Sequence, residues 1–336
     1  MALRSDRDAL LAAWRGLNAG GLGDGWQAIS LGKCGVVEIR AAKLFPGHLE
    51  AFLVGYPNAP VPADTMLPQA KGFYTSRVKL QGDASTWVAV VRNGGGSLDL
   101  FTAMASDVLA LLQSPGLTAA VLLHQVIARI TAWQRFMERG GNGLLSPEEE
   151  VGLFGELVVL RTMLDEAQDK TGVIECWSGP LGALHDFPIG TGAIEVKSTL
   201  APFGFPARII GLEQLDTSAV DPLFVAGVRL ATDPGGATLG DLATEILNLV
   251  SADGSAAAAL ADRLISAGLP NADYVRYTRR FKVGAIQLHR VTATFPRLVR
   301  GNTPPQITAV RYTLDLDLLV PDVLSVSEAR DILRIG

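Results

Sequence analysis

His185-Asp-Phe-Pro-Ile-Gly-Thr-Gly-Ala-Ile-Glu-Val-Lys-Ser-Thr199 reads as a β-hairpin and carries Asp186, Glu195 and Lys197 in the spacing D-x8-E-x-K. Gly190-Thr191 suits a two-residue loop, because a type II′ turn takes glycine at its first central position. That register sets Ile189 opposite Gly192, and counting outwards sets Asp186 across from Glu195. Their Cβ atoms are then about 4.5–5.5 Å apart on one face. Strands alternate sides, so Glu195 and Lys197 also share a face, while the Val196 side chain turns to the other. Pro188 has no N–H to give and fits only at an edge, a bulge or a non-bonded position.

Two carboxylates facing each other across a ladder are unfavourable without a counter-ion. With the Val196 carbonyl beside them they form an all-oxygen environment, which suits Mg²⁺ or Mn²⁺ and not zinc. A divalent cation held there activates water against a phosphodiester. Lys197 is placed to orient that water or to stabilise developing phosphate charge. The competing reading is an exposed hairpin whose charges make ordinary surface pairs of little worth.

Upstream, Ser146 is a good N-cap, Pro147 fits the first helical position, and Glu148, Glu149 and Glu150 face the positive end of the helix dipole. A helix from there to about Ala167 is expected. Within it, Glu156 is the one polar side chain of Val151-Gly-Leu-Phe-Gly-Glu-Leu-Val-Val-Leu160, with apolar residues on all sides. Such a helix is buried, and a carboxylate in it needs a partner. Gly152 and Gly155 are expected to let another backbone approach.

The chain has 336 residues, 48% hydrophobic and 19% charged, which is the composition of a globular protein with a substantial core. A net charge of −5 argues against indiscriminate coating of nucleic acid but leaves room for a local basic groove. Cys34 and Cys176 lie in no ligand spacing, so neither a zinc site nor a disulfide framework is expected. The first residues lack an apolar signal region and no stretch has the length of a membrane span, so a cytoplasmic protein is expected.

Residues 1–97 are expected to form a β-rich domain, opened by a helix over Arg7–Leu17 and a flexible glycine turn at Gly20–Gly25. Strands are expected at Val36–Arg40, Leu49–Val54, Gly72–Lys79 and Ser85–Arg92. A helical connection spans 98–143 (Leu98–Leu112 and Thr118–Glu138) and closes on Gly140-Gly-Asn-Gly143. Residues 144–336 hold the hairpin, a possible strand at Ala207–Gly211 and a strand at Leu223–Leu230. Helices at Leu239–Val250 and Ala256–Ala267 follow, then alternating segments at Lys282–Thr294 and Gln306–Leu318.

Glu156, Asp186 and Glu195-Val-Lys197, in that order, resemble the PD-(D/E)XK nuclease superfamily. More narrowly, Gly152-Leu-Phe-Gly-Glu-Leu157, Trp177-Ser-Gly-Pro180, His185-Asp-Phe187, Glu195-Val-Lys-Ser198, Leu212-Glu-Gln-Leu215 and Phe295-Pro-Arg-Leu298 resemble a bacterial family of that superfamily associated with phage-defence gene clusters. The resemblance implies an α/β (α+β) restriction-endonuclease-like core, with a mixed sheet flanked by helices. It implies Mg²⁺-dependent (or Mn²⁺-dependent) hydrolysis of DNA, with Asp186 and Glu195 as metal ligands, Lys197 as catalytic lysine, Glu156 as accessory acid and Gln214 orienting water or substrate. His185 stands where the signature has proline, and it is expected to turn from Asp186 into the core. A non-catalytic DNA-binding or assembly subunit of a defence complex, which retains the fold, is the alternative; other subunits and oligomers are compatible with both.

From Asn271 to Arg300, seven basic residues stand against one acid, Asp273. Arg276, Arg279, Arg280, Lys282 and Arg290 are the candidate nucleic-acid contacts, with Tyr274, Tyr277 and Phe281 interleaved for base stacking. The alternative is a sheet edge guarded by solvated basic side chains.

Overall fold

The computed structural model describes residues 2–17, 24–112, 117–140, 144–165, 167–320 and 324–333. Gly20–Gly23 of the expected glycine turn and 141–143 of the second glycine break lie outside them. The chain divides into two compact units, Met1–Gly143 and Leu144–Gly336.

Among the described residues, the first unit is an antiparallel sheet with α-helices. Its strands are β1 (Gly25–Cys34), β2 (Val37–Phe45), β3 (Leu49–Tyr56), β4 (Gln69–Ala70), β5 (Phe73–Val78) and β6 (Thr86–Arg92), and the helices are α1 (Ala2–Gly16), α2 (Leu98–Leu111) and α3 (Ala119–Glu138). They are ordered β1-β2-β3-β6-β5-β4. The central β3 and β6 are buried on both faces along most of their length, as apolar runs without alternation require. Trp14 ties α1 to the sheet by donating from Nε1 to the Ala51 carbonyl at 2.8 Å. Asp107 on α2 accepts from both Arg129 and Trp133 of α3, each at 2.8 Å. β1 was not expected: it is a half-exposed edge strand with a bulge between Ser30 and Gly32, and its sequence alternates poorly.

The second unit contains α4 (Pro147–Asp165), α5 (Lys170–Cys176), β7 (Phe187–Ile189), β8 (Gly192–Thr199), β9 (Pro206–Ile210), β10 (Leu223–Ala237), α6 (Leu239–Val250), α7 (Gly254–Ser266), β11 (Phe281–Arg290), β12 (Arg311–Asp315) and α8 (Val326–Ile332). The main sheet runs β11-β10-β8-β7. β8 pairs antiparallel with β7 and parallel with β10, and β10 pairs antiparallel with β11, so the sheet is mixed. β9, at the place of the possible strand Ala207–Gly211, pairs with β12 in a separate two-stranded ladder.

Alternation along β8 and β10 sorts their side chains onto two cores. Ile194, Val196, Phe224, Ala226 and Val228 pack with the helices, chiefly α4, α6 and α7. Ala193, Leu223 and Val225 pack with Phe205, Ala207, Ile209 and Leu316 from the β9/β12 side. Glu195, lying between Ile194 and Val196, therefore points to the β9/β12 face. The start of α4 is closed by a reciprocal cap: Ser146 Oγ accepts from Glu149 N, and Glu149 Oε2 accepts from Ser146 N at 2.8 Å. Gly155 lets α4 lie against β8, since a Cβ there would sit 1.8 Å from Ser198 Oγ; Gly152 serves no such approach, as nothing lies within 4 Å of its missing Cβ.

Candidate functional site

The β7–β8 hairpin has the register its turn demands, with Ile189 opposite Gly192, Pro188 opposite Ala193 and Phe187 opposite Ile194. Gly190 adopts φ +57°, the left-handed value that the first central position needs. β7 is the outer strand of the sheet, and Pro188 lies exposed on it, where a missing N–H costs nothing. Immediately before β7 begins, Asp186 extends its side chain in place of the strand. Its Oδ2 accepts the Val196 N–H at 2.8 Å, which fixes the carboxylate between Glu195 and Lys197. Its backbone carbonyl is held in turn by the N–H groups of Ser178 and Gly179, at 2.7 and 3.1 Å.

Glu195 is only 3% exposed. Its Oε1 accepts from Lys197 Nζ at 2.7 Å and from Gln214 Nε2 at 2.6 Å. Gln214 is itself anchored, since its Oε1 accepts the Ile210 N–H at 3.0 Å. His185 is buried and turned from Asp186, with Nε2 3.0 Å from the Gln214 carbonyl. A carbonyl only accepts, so Nε2 carries the hydrogen. Burial holds this imidazole below its ordinary pKa, which suits a neutral strut beneath Gln214.

Glu156 approaches from α4. Its Oε2 accepts from Trp177 Nε1 at 2.8 Å, and Trp177 is fully buried. Gly179 lies between the two carboxylates. A Cβ at that position would sit 2.7 Å from Asp186 Oδ1 and 3.0 Å from Glu156 Oε2, so both oxygens border one small space.

Burial, followed by the charge of Glu195, pushes the Asp186 carboxyl up to about 7, against the opposing Val196 N–H and Lys197 charge. Burial pushes Glu195 up as well; Lys197 opposes it and the Glu156 charge adds to it. These are carboxylates whose ionisation calls for a further positive charge.

The model of the family described as "Putative PD-(D/E)XK family member, (DUF4420)" matches residues 10–317. The chain belongs to that family. No curated protein and no solved structure matches the chain. The mixed sheet flanked by helices is compatible with the restriction-endonuclease-like fold that PD-(D/E)XK membership implies.

PD-(D/E)XK membership implies a divalent cation, and the donor set here fits one. Glu195 Oε2 is buried and makes no hydrogen bond among the described residues, a costly state for a carboxylate oxygen without a positive partner. The space beside Gly179 adds Asp186 Oδ1 and Glu156 Oε2. Among the described residues, no group of three or more His, Cys, Asp or Glu is arranged to hold a metal by itself. Mg²⁺ does not need one, because it takes one or two carboxylates and completes its shell with water and substrate phosphates. Asp186 and Glu195 offer such a pair of carboxylates, and Val196 stands next to Glu195 with its side chain in the helix-side core.

The basic segment is a different matter. Arg276 pairs with Asp273 at 2.8 Å and Arg279 with Glu150 at 2.9 Å, while Arg280 binds Asp241 and the Gly236 carbonyl. These arginines hold the protein's own acids. Tyr277 and Phe281 are buried core residues, so the stacking expected of them is not available. Phe281 packs edge-on against Phe154 with centroids 5.0 Å apart. Lys282 and Arg290 are exposed on β11. Trp177, Gly179 and His185 had no assigned part from sequence; the tetrapeptide Trp177-Ser-Gly-Pro180 marked the place without showing which carboxylates it meets. Among the described residues, no helix is long and apolar enough to cross a membrane.

Proposed function

We propose that this protein is a Mg²⁺-dependent nuclease that hydrolyses DNA phosphodiester bonds within a bacterial phage-defence system. The observation that carries the reading is the buried Glu195 beside the partly buried Asp186, with Lys197 bonded to Glu195, on a hairpin of a PD-(D/E)XK family member. Asp186, Glu195 and the Val196 carbonyl would hold the cation, with Glu156 reaching it directly or through water. Mg²⁺, when bound, supplies charge against phosphoryl oxygens and makes water a better nucleophile. Lys197 Nζ, kept at the site by Glu195, orients the attacking water and offsets charge on the phosphoryl group. Gln214 holds the Glu195 carboxylate in one rotamer, so the oxygen left over is aimed at the cation. Lys282 and Arg290, both exposed on β11, are the basic residues we assign to the DNA backbone; Arg276, Arg279 and Arg280 each pair with an acid of the protein.

The test is incubation of purified protein with linear, circular and single-stranded DNA, in Mg²⁺ or Mn²⁺. Cleavage by the wild type, lost in both Glu195→Ala and Lys197→Ala, is the expected result. Cation binding with no cleavage of any substrate would replace this reading with a non-catalytic assembly subunit.

A further inference from the structure

The segment Trp177-Ser178-Gly179 touches both carboxylate arms of the site. The Trp177 indole fixes Glu156 Oε2, and the Ser178 and Gly179 N–H groups fix the backbone of Asp186. Gly179 itself contributes only an absence. Its φ is not in the left-handed region, so an alanine would be accepted by the backbone. What a methyl would meet is the carboxylates: Asp186 Oδ1 at 2.7 Å, Glu156 Oε2 at 3.0 Å, and then the Asp186 Cα at an ordinary 3.5 Å. Neither oxygen can withdraw freely. Asp186 is tethered through Oδ2 to Val196, and Glu156 through the accepting Oε2 itself to Trp177.

We infer that Gly179 is a positioning residue for the divalent cation: it keeps open the gap between Asp186 and Glu156 in which the cation or one of its waters sits, and Trp177 sets the width of that gap. This rests on the cation site proposed above. The inference assigns a steric role to a residue with no ligating atom, so its signature is a loss of cation affinity without a loss of fold. A methyl in the gap displaces the space a hydrated ion requires, and it also strips water from the two carboxylates that border it.

The experiment is calorimetric titration of the metal-free full chain with Mn²⁺ at fixed pH, beside thermal denaturation without metal. Gly179→Ala is expected to bind Mn²⁺ about tenfold more weakly or worse, the scale seen when supports of a metal site are lost. Gly152→Ala is the matched control. Its added methyl meets nothing within 4 Å and replaces a helical glycine, so it should keep wild-type affinity and melt no lower than wild type. Should Gly179→Ala not fold, Trp177→Phe takes its place, removing the 2.8 Å donor while keeping a ring, with the same weakening expected. Mn²⁺ affinity within twofold of wild type in a folded Gly179→Ala (or in its substitute) overturns the proposal, and so does a wild type that binds no Mn²⁺. Binding by wild type that is lost in Gly179→Ala supports it even if no nucleic acid is cut, a result that counts against hydrolysis alone.

Discussion

Gln214 Nε2 donates to Glu195 Oε1 at 2.6 Å, the same oxygen that Lys197 Nζ holds at 2.7 Å. Two donors on one oxygen fix the carboxylate plane and leave Oε2 as the oxygen presented to a ligand. Removing one of them frees the side chain to rotate, and a ligand that rotates binds its cation less well. Gln214→Ala is therefore expected to lower Mn²⁺-dependent cleavage by about 10–100-fold, with melting little changed because Gln214 is only half-buried. Rates on one DNA substrate, measured at several Mn²⁺ concentrations, check this. A variant as fast as wild type at every concentration would remove Gln214 from the site.

The Asp186 carboxyl lies at about 7 in the folded chain, against 3.8 as its ordinary value, chiefly through burial and then the Glu195 charge. Between those two values the folded chain keeps a proton that the unfolded chain has lost. Stability from this group is therefore fully present below pH 3.8 and is lost as pH rises through about 7. Metal-free protein should melt progressively lower from about pH 4 to 7, and Asp186→Asn should flatten that slope. Mn²⁺ competes with the proton, so the rise in Tm on adding it should be larger at the alkaline end. Melting curves with chelator and with Mn²⁺ measure both effects; an Asp186→Asn slope equal to wild type would contradict the assignment.

The closeness of α4 to β8 depends on Gly155, whose missing Cβ would lie 1.8 Å from Ser198 Oγ and 3.0 Å from Ser198 Cβ. Gly155→Ala overpacks this contact and should cost about 1–3 kcal/mol. The helix is expected to yield by moving outward, taking the adjacent Glu156 with it. Ser198→Ala removes the nearer atom and leaves the second, so the double variant should regain part of the stability. Denaturant midpoints for the two single variants and the double one give the coupling directly; strictly additive losses would rule out the contact as the cause.

What sequence reasoning recovered was locally written. The start of α4 is specified by Ser146, Pro147 and Glu149 within four positions, and the structure closes the same cap. The hairpin follows from Gly190-Thr191, because a two-residue loop leaves one register and period two then decides which side chains meet. Elements that depend on distant partners were less legible. Residues near Ala207 read as a strand, but pairing with Arg311–Asp315 is a contact across about a hundred residues that no local pattern specifies. α5 is seven residues long with Gly172 inside it, too short for a period to show. The basic segment was legible as charge and illegible as geometry, since Glu150, Asp241 and Glu213, which three of its arginines meet, come from elsewhere in the chain.

Arg279 and Lys282 sit three residues apart and should separate structure from recognition. Arg279 pairs with the buried Glu150, donates to the Pro147 carbonyl at 2.9 Å and lies over the Phe281 ring at 5.0 Å. Its side chain is 35% exposed, and solvent screening limits the loss in Arg279→Ala to about 1–2 kcal/mol of stability. Lys282 is exposed on β11 and makes no ion pair among the described residues. Lys282→Ala should leave melting unchanged, weaken DNA binding similarly for all sequences, and make the dependence of log affinity on log salt shallower by about 1. Fluorescence anisotropy across a salt series, paired with melting curves, tests both. Loss of DNA affinity in Arg279→Ala at unchanged Tm would return that arginine to the DNA contact surface and would show its pairing with Glu150 to be dispensable.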